Sequence, residues 1–208
     1  MKRLAILGAG GHGKVVADTA ECCGWERVDF FADGWPAQTT NGSWSVVGDT
    51  SLLIEQLSNY DGVVVAIGHN SIRKAKLDEL ARIGAPLVSL VHPAATVSRR
   101  ASIGLGSVVF AGVVVNADAV IGPGAILNTG CSVDHDCVLG ECVHVSPGAR
   151  LAGGVRVGNL SWIGIGASVR QLIRIGAGVT GGAGAVAVSD VEDSVTVLGV
   201  PAKVFIRT

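Results

Sequence analysis

The chain has 208 residues, a formal charge of −1, 16% charged residues and a mean hydropathy of +0.50, so it has enough apolar surface to bury a core, which excludes intrinsic disorder. No basic excess points to nucleic acid, and no apolar run approaches the ~20 residues of a membrane-spanning helix. Five cysteines (Cys22, Cys23, Cys131, Cys137, Cys142), odd in number and without a CxxC pair, weaken both a disulfide and a zinc reading and are taken as reduced small hydrophobes. A soluble, cytoplasmic chain with no nucleic-acid or membrane partner is the expectation.

Met1-Lys-Arg leads directly into a strand-like Leu4 to Leu7, with no targeting segment expected. The strand enters Gly8-Ala-Gly-Gly-His-Gly13, and Lys14 to Cys23 then reads as a helix. Val28 to Ala32 and Gly62 to Ile67 read as further strands, Ser71 to Ile83 as a helix capped by its serine, and Pro86 to Val91 as a last strand. Strands alternating with helices predict a small α/β domain with a parallel sheet over residues 1–92. Residues Gly34 to Ser45, with Trp35 and Trp44 in a polar setting, read as a loop.

Gly8, Gly10 and Gly13 satisfy GxGxxG, and Asp33 lies 20 residues after Gly13 at the end of the second strand, as in a dinucleotide-binding fold. The segment is about half the size of a two-part NAD domain, which favours a nucleotide or nucleotide-sugar over NAD; glycines with a purely structural role are the third reading. The same stretch fits G-x4-G-K, but Val15 stands where a phosphate-loop NTPase needs a Ser or Thr on magnesium. What survives is a glycine turn whose amides and helix N-terminus can face a diphosphate, with His12 inside it.

From Ala95 the chain divides into sixteen hexads without a slip. Their third positions, from Val97, Ile103 and Val109 through Leu127, Val133, Leu139 and Val145 to Ile175, are large aliphatics fourteen times, failing only at Gly181 and Ala187. An α-helix cannot hold every sixth residue on one face, because at ~100° per residue the apolar positions would wind around it. Plain strands could, but would give no reason for glycine to recur at hexad positions four and six. Short strands with regular corners meet both demands, and three hexads then close one triangular coil of ~18 residues. About five coils stack over residues 93–208. A Gly-rich β-sandwich is the rival, and the unbroken register over 96 residues stands against it. Flat outer faces of such a prism commonly pack against two further copies, so a homotrimer is expected.

Polar residues at corners usually serve turns. The run Asn128-Thr-Gly-Cys-Ser-Val-Asp134-His135-Asp136 differs, because it flanks an imidazole with two carboxylates in a chain of only five histidines. His144 follows nine residues later. A carboxylate on one ring nitrogen fixes the tautomer and raises the basicity of the other, which is what a general base needs near neutral pH. The alternatives are solvated surface residues or a metal site, and the latter lacks a third His or Cys at a matching corner.

Gly8 to Asp18, Ala66 to Arg73, Asn128 to Cys137, His144-Val-Ser-Pro-Gly148 and Gly199-Val-Pro-Ala-Lys203 together resemble the hexapeptide-repeat sugar acetyltransferases of the bacillosamine, perosamine and sialic-acid pathways. The resemblance spans essentially the whole chain. It implies a Rossmann-like α/β domain followed by a left-handed parallel β-helix, with acetyl-CoA as co-substrate and no metal. The acceptor would be the amino group of a UDP- or GDP-linked 4-amino-4,6-dideoxy sugar; a hydroxyl of sialic acid or a related sugar is the alternative, and a non-catalytic nucleotide-sugar scaffold a third. By resemblance, His135 is the catalytic base and Asp136 its acidic partner, where the family more often has Glu. Asp134 offers a second carboxylate. The acetyl-CoA contacts fall on Asn128, His144, Ile165 and Ala183, with Ala183 in place of a frequent Gly and His144 donating to the thioester carbonyl. The nucleotide-sugar contacts fall on Gly10, Gly11, His12, Ala32, Asp33 and Gly68, where Ala32 replaces a common acidic residue. Direct attack without an acyl-enzyme is implied.

Overall fold

A computed structural model of the chain describes residues 2–206, so Met1 and residues 207–208, at the outer ends of the two expected domains, lie outside the described residues. The chain divides into two compact units, Met1–His92 and Pro93–Thr208.

In the first unit, β1 (Arg3–Leu7) is an interior strand of a five-stranded sheet, followed by α1 (Gly11–Cys22), β2 (Arg27–Phe31), β3 (Thr40–Asn41), β4 (Trp44–Gly48), α2 (Thr50–Glu55), β5 (Gly62–Val65) and α3 (Asn70–Arg82). The sheet order is β3-β4-β2-β1-β5, parallel except for the β3–β4 pair. Leu4, Ala5 and Ile6 are fully buried, as a strand covered on both faces requires. Buried Asp29 on β2 is held by Arg3 Nη2, Arg27 Nε and the Tyr60 hydroxyl, each at 3.1 Å.

Three local expectations are corrected. Part of the expected loop Gly34–Ser45 is a hairpin, β3 and the start of β4, because Trp44 packs edge-on against Phe30 and draws the segment onto the sheet. Ser71 does not cap α3; the cap position is His69, which makes no side-chain cap bond. The expected strand Pro86–Val91 reduces to a bridge between Leu87 and Val63 and a two-residue strand at Leu90–Val91.

The second unit is a left-handed parallel β-helix of two-residue strands, one per hexad. Strands beginning at Thr96, Val114, Ser132, Arg150, Ser168 and Val186 form its first face. Those at Ser102, Val120, Val138, Arg156 and Arg174 form the second, and those at Val108, Ile126, His144, Trp162 and Thr180 lie on the third. Among these strands every pairing is with the residue 18 positions on, as in Val115↔Val133, Leu127↔Val145 and Leu139↔Val157, and the last coil is shorter, with Thr180 opposite Thr196. The third-position aliphatics from Val109 to Ile175 point inward and are buried, with Ala, Val, Cys or Ile of the first positions between them. Ser107 and Ser161 occupy first positions too; each hydroxyl donates to a carbonyl of the next coil (Gly122 and Gly176) and accepts from an amide there (Ala125 and Val179).

Corners impose the glycines. From Gly106 to Gly184 every sixth-position residue has positive φ, and five of these are not glycine: Asp118, Asp136, Cys142, Leu160 and Leu172. Fourth-position glycines answer a different demand. A Cβ at Gly122 would stand 2.6 Å from the Gly140 carbonyl group of the next coil.

Overpacking of this kind costs about 1–3 kcal/mol. We expect Gly122→Ala to lower the melting temperature by roughly 3–10 °C, at the few degrees per kcal/mol of a chain this size. Gly184→Asn should be nearly neutral, since nothing lies within 4 Å of its would-be Cβ and Asn tolerates its φ of 66°. Thermal unfolding checks both.

Candidate active site

His135 and Asp136 form the corner between the first and second faces. Hexad position six turns Asp136 into the left-handed region, at φ 59°, and its Oδ2 sits 2.7 Å from His135 Nδ1. A carboxylate can only accept, so Nδ1 carries the hydrogen and Nε2 is left with its lone pair. Asp134 is engaged elsewhere, its Oδ1 accepting from Asn116 Nδ2 and from the His135 amide, both at 2.8 Å. Those bonds, with the Asn116 amide the larger influence, hold the Asp134 carboxyl below the usual range. The His135 imidazole is pushed up, first by its bond to Asp136 and then by the charge of Asp134.

The ring lies over the backbone of the next coil. A Cβ at Gly153, 18 residues on, would come within 2.5 Å of His135 Nε2 and 2.6 Å of Cε1. Gly153 therefore makes room for the imidazole, a role that the 18-residue spacing could have signalled and the hexad reading missed. Asp134, His135, Asp136, Gly153, Gly154 and Leu172 help to line an open groove of about 750 Å³.

Asn128, His144, Ile165 and Ala183 come together in a second groove of about 540 Å³, along the third face and its corner with the first. Asn128 Oδ1 accepts from the Thr129 amide at 2.8 Å, which orients its Nδ2 toward His144 Nε2 at 3.3 Å. Nε2 is thus the acceptor, and His144 Nδ1 is buried. Donation from His144 Nε2 to a thioester carbonyl would need Asn128 to release the ring. His144 is further fixed by a stack on Trp162, ring centroids 4.6 Å apart, while Trp162 Nε1 donates to Ser146 Oγ at 2.6 Å. Trp162 went unnoticed in the sequence because only the 18-residue pairing places it beside His144.

In the first unit, Gly10 and Gly11 begin α1, and Gly10 provides no side-chain cap, which leaves first-turn amides available to an anion. His12 is lowered to about 4 by burial and then by the nearby charge of Arg73, so it is neutral at physiological pH. Arg73 is buried and fixes the loop carrying Gly68, donating through Nη1 to the carbonyls of Ile67 (2.9 Å) and Gly68 (3.0 Å). Asp33 accepts from Thr50 Oγ1 at 2.6 Å, which with the Thr50 amide holds it below the usual carboxylate range. Ala32 beside it bonds the Gly48 carbonyl through its amide. Gln38 Nε2 and Asn41 Nδ2 donate to the carbonyls of Ala9 and Gly10, so the hairpin segment braces the glycine turn. Among the described residues, no three His, Cys, Asp or Glu gather as metal ligands would, and no helix is long and apolar enough to cross a membrane.

Residues 3–80 match the family model of the PglD N-terminal domain. Over 98% of its length the chain superposes on 99% of the acetyltransferase domain of PglB from Neisseria gonorrhoeae FA1090, solved with acetyl coenzyme A, at 46% identity and TM-score 0.94. Over 99% of its length it matches 98% of PerB from Caulobacter crescentus, solved with CoA and GDP-perosamine, at 40% identity and TM-score 0.94. It is 36% identical over 111 residues to the UDP-N-acetylbacillosamine N-acetyltransferase of Bacillus subtilis (strain 168), an alignment covering 52% of this chain and 51% of that enzyme. The match thus spans about half the length of that curated relative.

Replacing Asp136 by Asn removes the charge that favours the protonated ring. In an NMR titration of the imidazole, Asp136→Asn should lower the pKa of His135 toward the ordinary value of about 6.5. Asp134→Asn should lower it less.

Proposed function

The chain belongs to the hexapeptide-repeat sugar acetyltransferases, and on that premise we propose that it transfers the acetyl group of acetyl-CoA to the amino group of a UDP- or GDP-linked 4-amino-4,6-dideoxy sugar. The observation that carries the reading is the 2.7 Å bond from His135 Nδ1 to Asp136, which fixes Nε2 as a proton acceptor. The sugar amine attacks the thioester carbonyl, its proton passes to His135 Nε2, and the resulting imidazolium returns a proton to the departing coenzyme A thiolate. Asp136 stabilises that imidazolium while it exists. No covalent intermediate is required. Burial pushes the Cys131 thiol up to about 12 and raises that of Cys137, so neither is poised as a thiolate nucleophile.

In this proposal the first unit holds the nucleotide, with the amides of Gly10 and Gly11 and the neutral His12 toward the diphosphate and with Ala32, Asp33 and Gly68 lining the site. The β-helix unit holds acetyl-CoA, at Asn128, His144, Ile165 and Ala183. His135 and that acetyl-CoA groove lie on opposite edges of the first face, roughly 13 Å apart for four extended residues. One chain therefore offers the base and the acetyl-CoA groove on separate corners, which supports a homotrimer in which neighbouring copies complete each site. Activated sugars and acetyl-CoA are cytoplasmic metabolites, which supports a cytoplasmic enzyme.

Thiol release from acetyl-CoA, measured against UDP- and GDP-linked 4-amino-4,6-dideoxy sugars, tests the reading. Wild type should turn over at least one of them, and His135→Ala should lose roughly 10²–10⁴-fold in kcat with little change in acetyl-CoA affinity. Near-normal turnover by His135→Ala would contradict the proposal. The rate should rise with pH through the elevated His135 pKa, because only the neutral ring accepts a proton.

A further inference from the structure

The groove beside His135 has an acidic end and a basic end. Asp134, His135 and Asp136 occupy one coil, Arg156 lies on the next, and Arg174 one coil further, all lining the same groove. Arg156 and Arg174 pair directly in register on adjacent parallel strands of the second face, and both are exposed. Their backbones are therefore about 4.8 Å apart, and like charges placed directly opposite repel. Earlier rungs of the same ladder are Ser102, Val120 and Val138, so the repeat itself demands no cation at this position. Among the described residues neither guanidinium makes an ion pair or hydrogen bond; Asp190 accepts from the Arg174 backbone amide at 2.9 Å, not from its guanidinium.

Two unneutralised guanidiniums held side by side in a concavity are a cost to the fold that a doubly charged anion would reverse. Guanidinium groups suit phosphate oxygens, which they can engage through paired N–H donors. The groove runs from the base at His135 to this pair over two coils, roughly 10 Å along the prism axis. A phosphate at the basic end would thus belong to a molecule whose reacting end lies at His135. We propose that Arg156 and Arg174 form a phosphate subsite of the reaction groove. The inference rests on the acetyltransferase reading, under which both co-substrates carry such groups: the 3′-phosphate and diphosphate of coenzyme A, and the diphosphate of the nucleotide-sugar, which would then sit here rather than at the glycine turn of the first unit.

The test is isothermal titration of the full chain and of two double variants, Arg156→Gln with Arg174→Gln and Arg156→Lys with Arg174→Lys. The probes are coenzyme A, 3′-dephospho-coenzyme A, UDP and GDP. The Gln pair should weaken at least one probe by roughly 10- to 100-fold and flatten its salt dependence, and the Lys pair should lie between it and wild type. A loss for coenzyme A but not for its dephospho form assigns the 3′-phosphate, and an equal loss for both assigns their diphosphate. A loss confined to UDP or GDP assigns the acceptor. Unchanged affinity for all four probes in a Gln pair of normal melting temperature overturns the subsite, as does a changed assembly size with affinity intact. A wild-type chain that binds no probe overturns the acetyltransferase reading as well, so the two failures are distinguishable.

Discussion

From the second coil to Ala187, each strand residue of the β-helix lies directly over the residue 18 positions before it, and this in-register stacking governs the rest of the unit. It aligns inward aliphatics into a continuous core and turns fourth-position glycines such as Gly122 into close backbone contacts between coils. It also obliges the sixth position of each hexad from Gly106 to Gly184 to adopt positive φ. Function is written into what the stacking leaves free, the outward positions and the corners. A residue there is defined by two neighbours, one coil above and one below, more than by its neighbours in sequence.

The His135 corner shows how chemistry uses that rule. Asp is among the few residues other than glycine that enter the left-handed region at modest cost. At the sixth position it satisfies the corner and also delivers a carboxylate to the ring of the preceding residue. The longer Glu has no such preference for left-handed backbone, so the shorter acid is the one the corner accepts more readily. One coil on, Gly153 supplies the absence of a side chain that the imidazole needs. The imidazole is thus positioned by an acid beside it and an empty space beneath it. The ring remains exposed, with 61% of its side-chain surface accessible in the single chain.

The repeat made the second unit legible, because a period of six that persists for sixteen hexads admits few folds. The His135–Asp136 pair was legible as adjacent titratable groups. What the linear reading left undecided was which carboxylate holds the ring; Asn116, 18 residues before Asp134, decides it by engaging that acid. Trp162 against His144 and Gly153 beneath His135 are again contacts across coils. In the first unit the hairpin Thr40–Gly48 escaped notice because its strand pairing is driven by Trp44 against Phe30, a contact with no local pattern. The perturbation of His12 comes first from its own burial and then from Arg73, 61 positions away and unremarkable in sequence until the fold buries it. Separation of the two grooves onto different corners follows from the hexad count, yet emerges only once the faces are drawn.

The central claim is that the base and the acetyl-CoA groove of one working site come from different copies. Mixing two inactive variants measures this directly. His135→Ala lacks the base, and Ala183→Trp blocks the groove on the other corner. After unfolding and refolding together in equal amounts, random trimers would hold one intact site in each mixed assembly, so thiol release should recover to about a quarter of the wild-type rate. Rates that stay at the level of the separate variants, in assemblies shown by mass to be mixed, would place base and groove in the same chain and contradict the account.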